Sequence, residues 1–227
     1  MTLSVIVPFY NEENTLEESI NRLIRVDMFE KLYLVNDCST DNSLKIAKKL
    51  ASENNSIILS STYKNLGKGG ALETLTGKID STHVVIHDAD LEYFPEDLID
   101  LYNKAQKYPD ALILGSRFIG TKKRKNLYLR TYFANKFLSL VFSLIYFKKI
   151  SDVATCYKLM PTAFFNSVNF IEKGFAIEIE LIAKYLKFNK TVIEVPIKYD
   201  ARSYEEGKKI KPIDGLNYII SSLRYRF

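Results

Sequence analysis

A repeated unit constrains this chain more than its composition does: a short apolar run, a polar loop, then a segment with helical spacing. Residues 3–7, 32–35, 57–59, 84–86 and 111–114 are the apolar runs. Runs of that length without polar alternation suit strands buried on both faces of a parallel sheet. Between them, helical spacing joins Leu16, Ile20, Leu23 and Ile24, then Leu44, Ala47 and Leu50, then the residues after Gly69, then Leu98, Leu101, Tyr102 and Ala105. Parallel neighbours need crossover connections, so the alternation predicts an α/β, Rossmann-like, mostly parallel sheet flanked by helices. At 227 residues and 47% hydrophobic content, the chain is sized for a single domain with one core.

The pattern changes after residue 116, dividing the domain into halves at 1–116 and 117–227. Lys122-Lys123-Arg124-Lys125 is a basic run, and residues 127–147 are aromatic and aliphatic. Such an order fits either an interfacial helix touching anionic lipid or ordinary core packing. The longest oily stretch, residues 137–147, is too short to span a bilayer. Later come a helix-like 176–186, a strand-like 191–197, a charged loop 202–211 and a helix-like tail 216–227. No basic leader precedes the first apolar run, and two isolated cysteines make no disulfide framework. The expected location is the cytoplasm, with peripheral contact to the inner face of the membrane or to a membrane-anchoring partner.

The scarce residues narrow the chemistry. With Cys38, Cys156, His83 and His87 as the full complement of Cys and His, a metal here would be held by oxygen, which selects Mg²⁺ or Mn²⁺. A net charge of +5 is too shallow for a nucleic-acid arm, and no RNP pattern or finger spacing accompanies the basic run, so no nucleic-acid partner is expected.

Polar residues gather just after the apolar runs: Pro8-Phe9-Tyr10-Asn11-Glu12, Asn36-Asp37-Cys38-Ser39-Thr40-Asp41, Asn65-Leu66-Gly67-Lys68-Gly69-Gly70 and His87-Asp88-Ala89-Asp90. In open α/β sheets ligands bind outside the carboxyl ends of the strands, so these four loops are expected to line one site. Asp88-Ala89-Asp90 is the sharpest of them, since two carboxylates one residue apart at a strand end can converge on a cation that shares its other positions with phosphate. The glycine-rich loop fits either backbone N–H groups and Lys68 set toward phosphate or a flexible turn. It is not a Walker A loop, and Leu72 stands where a dinucleotide fingerprint would need its third glycine.

Taken in order, these four motifs resemble family-two glycosyltransferases with the A-type fold. Gly115-Ser116-Arg117-Phe118, residues 152–158 and residues 202–209 narrow the resemblance to dolichol- and polyprenyl-phosphate sugar synthases. The resemblance implies an inverting, metal-dependent transfer from a GDP- or UDP-linked sugar to a polyprenyl or dolichyl phosphate. Pro8, Tyr10 and Glu12 would surround base and ribose, with Asp37 at the base edge and Lys68 and Gly69 near the nucleotide. Asp88 and Ala89 would lie at the ribose and donor sugar, and Asp90 would ligate the metal on the diphosphate. Relatives of the mannose type often carry Gln where this chain has Glu92, whose carboxylate would join Asp90 on the metal. Arg117, Arg202 and Lys208 match basic positions used around phosphates.

A lipid phosphate is already ionised and needs orientation by cations, whereas a sugar hydroxyl would need a carboxylate base. Asp152, Glu178 and Glu180 are the candidates for that second case, a single-transfer enzyme of cell-surface glycan assembly. The chain lacks tryptophan, and so lacks the Gln-x-x-Arg-Trp segment that polysaccharide-elongating relatives usually show. Two other classes compete: a nucleotide-sugar-binding protein without turnover, and a nucleotidyltransferase, which would want a glycine-rich first loop.

Overall fold

The computed structural model describes residues 1–125, 128–188, 191–202 and 212–227, with the backbone alone for 212–214. From the amino terminus, β1 (Leu3–Phe9), α1 (Leu16–Val26), β2 (Lys31–Asn36), α2 (Ser43–Glu53), β3 (Ile57–Ser61), α3 (Gly67–Glu73) and β4 (His83–Ile86) follow the expected alternation. A 3-10 turn (Pro95–Asp97), α4 (Leu98–Lys107) and β5 (Leu112–Ser116) complete the first half. The second half holds β6 (Arg124–Lys125), α5 (Leu129–Tyr146), β7 (Lys158–Pro161), α6 (Thr162–Ser167), α7 (Ile177–Lys187), β8 (Val192–Pro196), β9 (Tyr199–Asp200) and α8 (Pro212–Arg226).

Seven of the described strands form one sheet in the order β3-β2-β1-β4-β7-β5-β8, and β6 pairs with β9 beside it. Val5 is matched to Leu32 on one side and to Val85 on the other, and all three are fully buried. Burial on both faces is why these strands read as unbroken apolar runs. The sheet is the mostly parallel, helix-flanked arrangement that the alternation predicts.

One strand departs from the parallel rule. β7 belongs to the second half but lies between β4 and β5, antiparallel to both. An antiparallel strand enters the sheet at the edge where its parallel neighbours leave it. Residues 152–157, just upstream of β7, are thereby delivered to the edge where the loops after β1, β2 and β4 emerge.

Those three loops share a backbone feature. Asn11, Cys38 and Leu91 adopt φ of 52°, 60° and 64°. A left-handed conformation costs a non-glycine residue about 1–2 kcal/mol, and such residues concentrate at ligand sites.

Candidate active site

At the end of β4, Leu91 folds the chain back on itself, so that the Glu92 N–H donates to Asp90 Oδ1 at 3.1 Å. Asp88, Asp90 and Glu92 are thus drawn to one end of a cavity of about 380 Å³. Burial, and then the charges of Glu92 and Asp88, push the Asp90 carboxyl up to about 8 against the pull of Arg202. The Arg202 guanidinium bridges this end, from Nη1 to Glu12 Oε2 at 3.1 Å and from Nη2 to Asp90 Oδ2 at 3.2 Å. Its backbone N–H donates to Glu92 Oε1 at 2.8 Å, and the Tyr199 hydroxyl donates to Glu92 Oε2.

Lys68 enters from the start of α3. Its Nζ donates to Asp88 Oδ1 at 2.6 Å and to Glu178 Oε1 at 2.7 Å. Fully buried Lys158, at the start of β7, holds the other Glu178 oxygen. Burial works against the Lys68 charge, but Asp88, Cys156 and Glu178 hold its ammonium well above the ordinary range. Behind Asp88, His87 is buried between Ser19 and the Tyr157 hydroxyl, and burial pushes its imidazole down to about 4.

The glycines beside Lys68 serve close packing. Asp37 accepts from the Gly67 N–H at 2.7 Å and from the Leu66 N–H at 2.8 Å, while the Gly69 N–H donates to Lys173 O at 2.9 Å. A Cβ on Gly69 would stand 1.9 Å from the Glu172 carbonyl oxygen. Of the two readings left open for this loop, the structure shows the N–H groups of Gly67 and Gly69 taken up within the protein, by Asp37 and by the Lys173 carbonyl.

On the β5 side, across Tyr199 from Glu92, the charge is internally matched. Arg117, just after β5, meets Asp152 in a fork, with Nε to Oδ2 and Nη2 to Oδ1 both at 2.7 Å. Its backbone N–H reaches the same carboxylate at 3.0 Å. Both side chains are buried, and the guanidinium lies 4.9 Å from the centre of the Tyr199 ring. Burial opposes the Arg117 charge, yet Asp152 holds it well above the usual range.

Comparison with known proteins gives this geometry a family. Residues 4–169 match the description Glycosyl transferase family 2. The chain belongs to glycosyl transferase family 2. It is 27% identical over 212 residues to a dolichol-phosphate mannosyltransferase of Pyrococcus furiosus, covering 92% of this chain and 59% of that one. It is 32% identical over 127 residues to an undecaprenyl-phosphate 4-deoxy-4-formamido-L-arabinose transferase of Proteus mirabilis, covering 54% of this chain and 37% of that one. The chain therefore spans less than two thirds of the length of these curated relatives. Among solved structures, glucosyl-3-phosphoglycerate synthase of Mycobacterium tuberculosis superposes with a TM-score of 0.74 at 19% identity, over 99% of this chain and 79% of that one. The same enzyme with Mn²⁺, UDP and its product superposes at 0.72 and 18% identity, over 99% of this chain and 79% of that one.

Within this family-2 fold the donor set suits a hard divalent cation. Asp90 and Glu92 are carboxylates one residue apart whose mutual repulsion is only partly offset by Arg202. Among the described residues no group of three or more His, Cys, Asp or Glu side chains is arranged to hold a metal by itself.

Of the residues singled out in the sequence, Pro8, Tyr10, Glu12, Asp37, Lys68, Asp88, Ala89, Asp90, Glu92, Arg117, Glu178 and Arg202 line the cavity. Gly69, Asp152 and Glu180 are absent from its lining among the described residues. Glu180 instead accepts the Ile171 and Glu172 N–H groups and pairs with Lys184, clamping the segment before α7. Lys208 lies outside the described residues. Tyr93, Phe175, Tyr199 and Tyr218 line the cavity without having been singled out, because no local pattern separates a site tyrosine from a packing one.

Proposed function

We propose that this chain is the catalytic unit of an inverting glycosyltransferase that moves a sugar from a GDP- or UDP-linked donor to a polyprenyl or dolichyl phosphate, using Mg²⁺ or Mn²⁺. The observation that carries the reading is the state of the carboxylates. Asp152 is locked to Arg117, Glu178 is shared between Lys68 and Lys158, and Glu180 faces away, so each candidate base has a cationic partner. A neutral hydroxyl would find no unpaired carboxylate among these three, whereas an anionic phosphate needs no base.

Asp90 and Glu92 would hold the cation, which when bound offsets the negative charge developing on the departing diphosphate. Lys68 sits at Asp88, between the turn after β3 and the end of β4, where it adds a fixed positive charge. Arg117, rigid through Asp152, orients the attacking phosphate oxygen, and attack from the face opposite the leaving group inverts the anomeric carbon. For Arg202 to join it, the guanidinium must leave Asp90 and Glu12, which cation binding at Asp90 favours.

The similarity to the two lipid-phosphate transferases supports the acceptor class, and the Mn²⁺- and UDP-bound structures of the fold neighbour support the cofactor class. The test is a screen of GDP- and UDP-sugars with Mn²⁺ and polyprenyl phosphate. The expected products are a nucleoside diphosphate and a glycolipid with inverted linkage. Transfer to a sugar hydroxyl with polyprenyl phosphate ignored would replace the acceptor. Donor binding without turnover, or release of pyrophosphate, would replace the activity itself.

A further inference from the structure

Helix α5 carries apolar residues around most of its circumference, a composition that ordinarily marks a helix largely covered by its surroundings. Among the described residues it meets the protein along one side, through Leu138, Ser139, Phe142 and Tyr146 and, nearer its start, Tyr132. Leu129, Phe133, Phe137, Leu140, Leu144 and the following Phe147 form an uncovered stripe on the other side, with Phe133 and Leu144 each 65% exposed. Helix α8 repeats the arrangement, burying Tyr218, Ser222 and Tyr225 while Leu216, Ile220, Leu223 and Phe227 stay exposed. The two helices pack together: the Tyr146 hydroxyl donates to Ser222 O at 3.1 Å, and Arg226 lies 5.8 Å and 5.9 Å from the Tyr146 and Phe147 ring centres. Contiguous apolar surface of this kind marks an interaction site.

Charge identifies the occupant. Residues 117–151 hold nine of the thirty-two Lys and Arg and none of the twenty-seven Asp and Glu, so the remainder of the chain is acid-rich, twenty-three against twenty-seven. The α5 stripe is therefore flanked by Arg130, Lys136, Lys148 and Lys149 with no acid in its own segment. A second copy seated on this face would oppose like charges, which association disfavours. An anionic bilayer supplies both apolar depth and negative headgroups. Among the described residues no helix is long and apolar enough to cross a membrane, so the helices would lie in the interface.

We infer that α5 and α8 together form a docking face for an anionic lipid bilayer, the apolar stripes entering the interface and the basic residues meeting headgroup phosphates. The inner sides of the same two helices reach the site. Tyr218 of α8 lines the cavity with Arg202, and Thr131, Tyr132 and Asn135 of α5 line a small pocket with Arg117 and Tyr199. Docking thus sets the side of the cavity that holds Arg117 and Tyr199 beside the headgroup layer. The inference rests on the lipid-phosphate reading for its purpose in the reaction, and on the helix faces for its existence.

The test is flotation of the full chain with vesicles of phosphatidylcholine, with and without 30% phosphatidylglycerol by design, none containing polyprenyl phosphate. The wild type should float with the anionic vesicles, and raised salt should weaken that binding. A Phe137→Ser, Leu140→Ser, Leu144→Ser triple variant should lose about tenfold or more in partitioning. The same variant should keep its thermal unfolding temperature and its turnover of a short, water-soluble prenyl phosphate, and Ile99→Ser on α4 should float like wild type. Wild type remaining in solution with both vesicles would overturn the inference. So would a dimer, seen by light scattering, that the triple variant converts to monomer. Flotation without turnover of any prenyl phosphate would instead overturn the acceptor reading and leave the docking face standing.

Discussion

At the β4 end of the cavity, Asp88, Asp90 and Glu92 crowd within five residues of one another, and their charges are offset by side chains borrowed from elsewhere, Lys68 and Arg202. At the β5 end, Arg117 and Asp152 satisfy each other in a two-bond fork, so the charge there is balanced before any ligand arrives. The contrast separates two ways of building an electrostatic site. A crowded acidic cluster that is only partly offset keeps a carboxyl raised, as Asp90 is, while a matched buried pair holds its geometry.

The largest effect should come from emptying the acidic end. Asp90→Ala is expected to cost about 10³-fold in turnover and to abolish the dependence of donor binding on Mn²⁺. Equal donor affinity with and without Mn²⁺ in wild type and variant, measured calorimetrically, would remove Asp90 from the metal assignment.

Breaking the matched end should instead appear in stability. Asp152→Ala leaves the buried Arg117 charge without its partner, with an expected loss of about 3–5 kcal/mol in denaturant unfolding. A loss below about 1 kcal/mol would mean that solvent reaches the pair and that the rigid-end description fails.

His87 probes the support beneath the acidic loop. Its folded pKa of about 4 lies below the ordinary 6.5, so the unfolded chain takes up the proton first as pH falls. The associated stability is complete above pH 6.5 and is lost progressively toward pH 4, about 3 kcal/mol in all. His87→Gln should flatten that part of the stability profile, and an unchanged acid slope would show that the imidazole is not held neutral.

The smallest effect concerns Arg202, the cation set against the acidic end. Arg202→Ala should slow the acceptor step about 10-fold to 100-fold while leaving donor affinity intact. It should also tighten Mn²⁺ binding in the absence of nucleotide, because Asp90 and Glu12 lose their internal cation. Paramagnetic titration of Mn²⁺ checks the second half; weaker metal binding would make Arg202 a support of the acidic cluster rather than a competitor for it.

Much of this was legible in the amino-acid sequence. The apolar runs at 3–7, 32–35 and 84–86 became β1, β2 and β4 with slightly longer bounds, and Ala111 fell just outside β5. β7 was not legible as a strand: it is four residues long, begins with a buried lysine and ends in proline. The oily 127–147 segment left core packing and an interfacial helix both open, because periodicity cannot distinguish a covered apolar face from an exposed one. In the structure α5 is both, with one side packed and the other bare.

By itself the sequence determined the parallel sheet, the edge at which the polar loops emerge and the acids that follow β4. Those follow from run length, crossover topology and adjacency along the chain, all of which are local. Only the tertiary structure decided which charged groups face one another. Asp152 meets Arg117 across 35 positions, Lys68 meets Glu178 across 110, and Arg202 meets Glu12 across 190. A carboxylate's role depends on the charge facing it, and here the facing charge comes from a strand inserted out of order or from a loop at the far end of the chain.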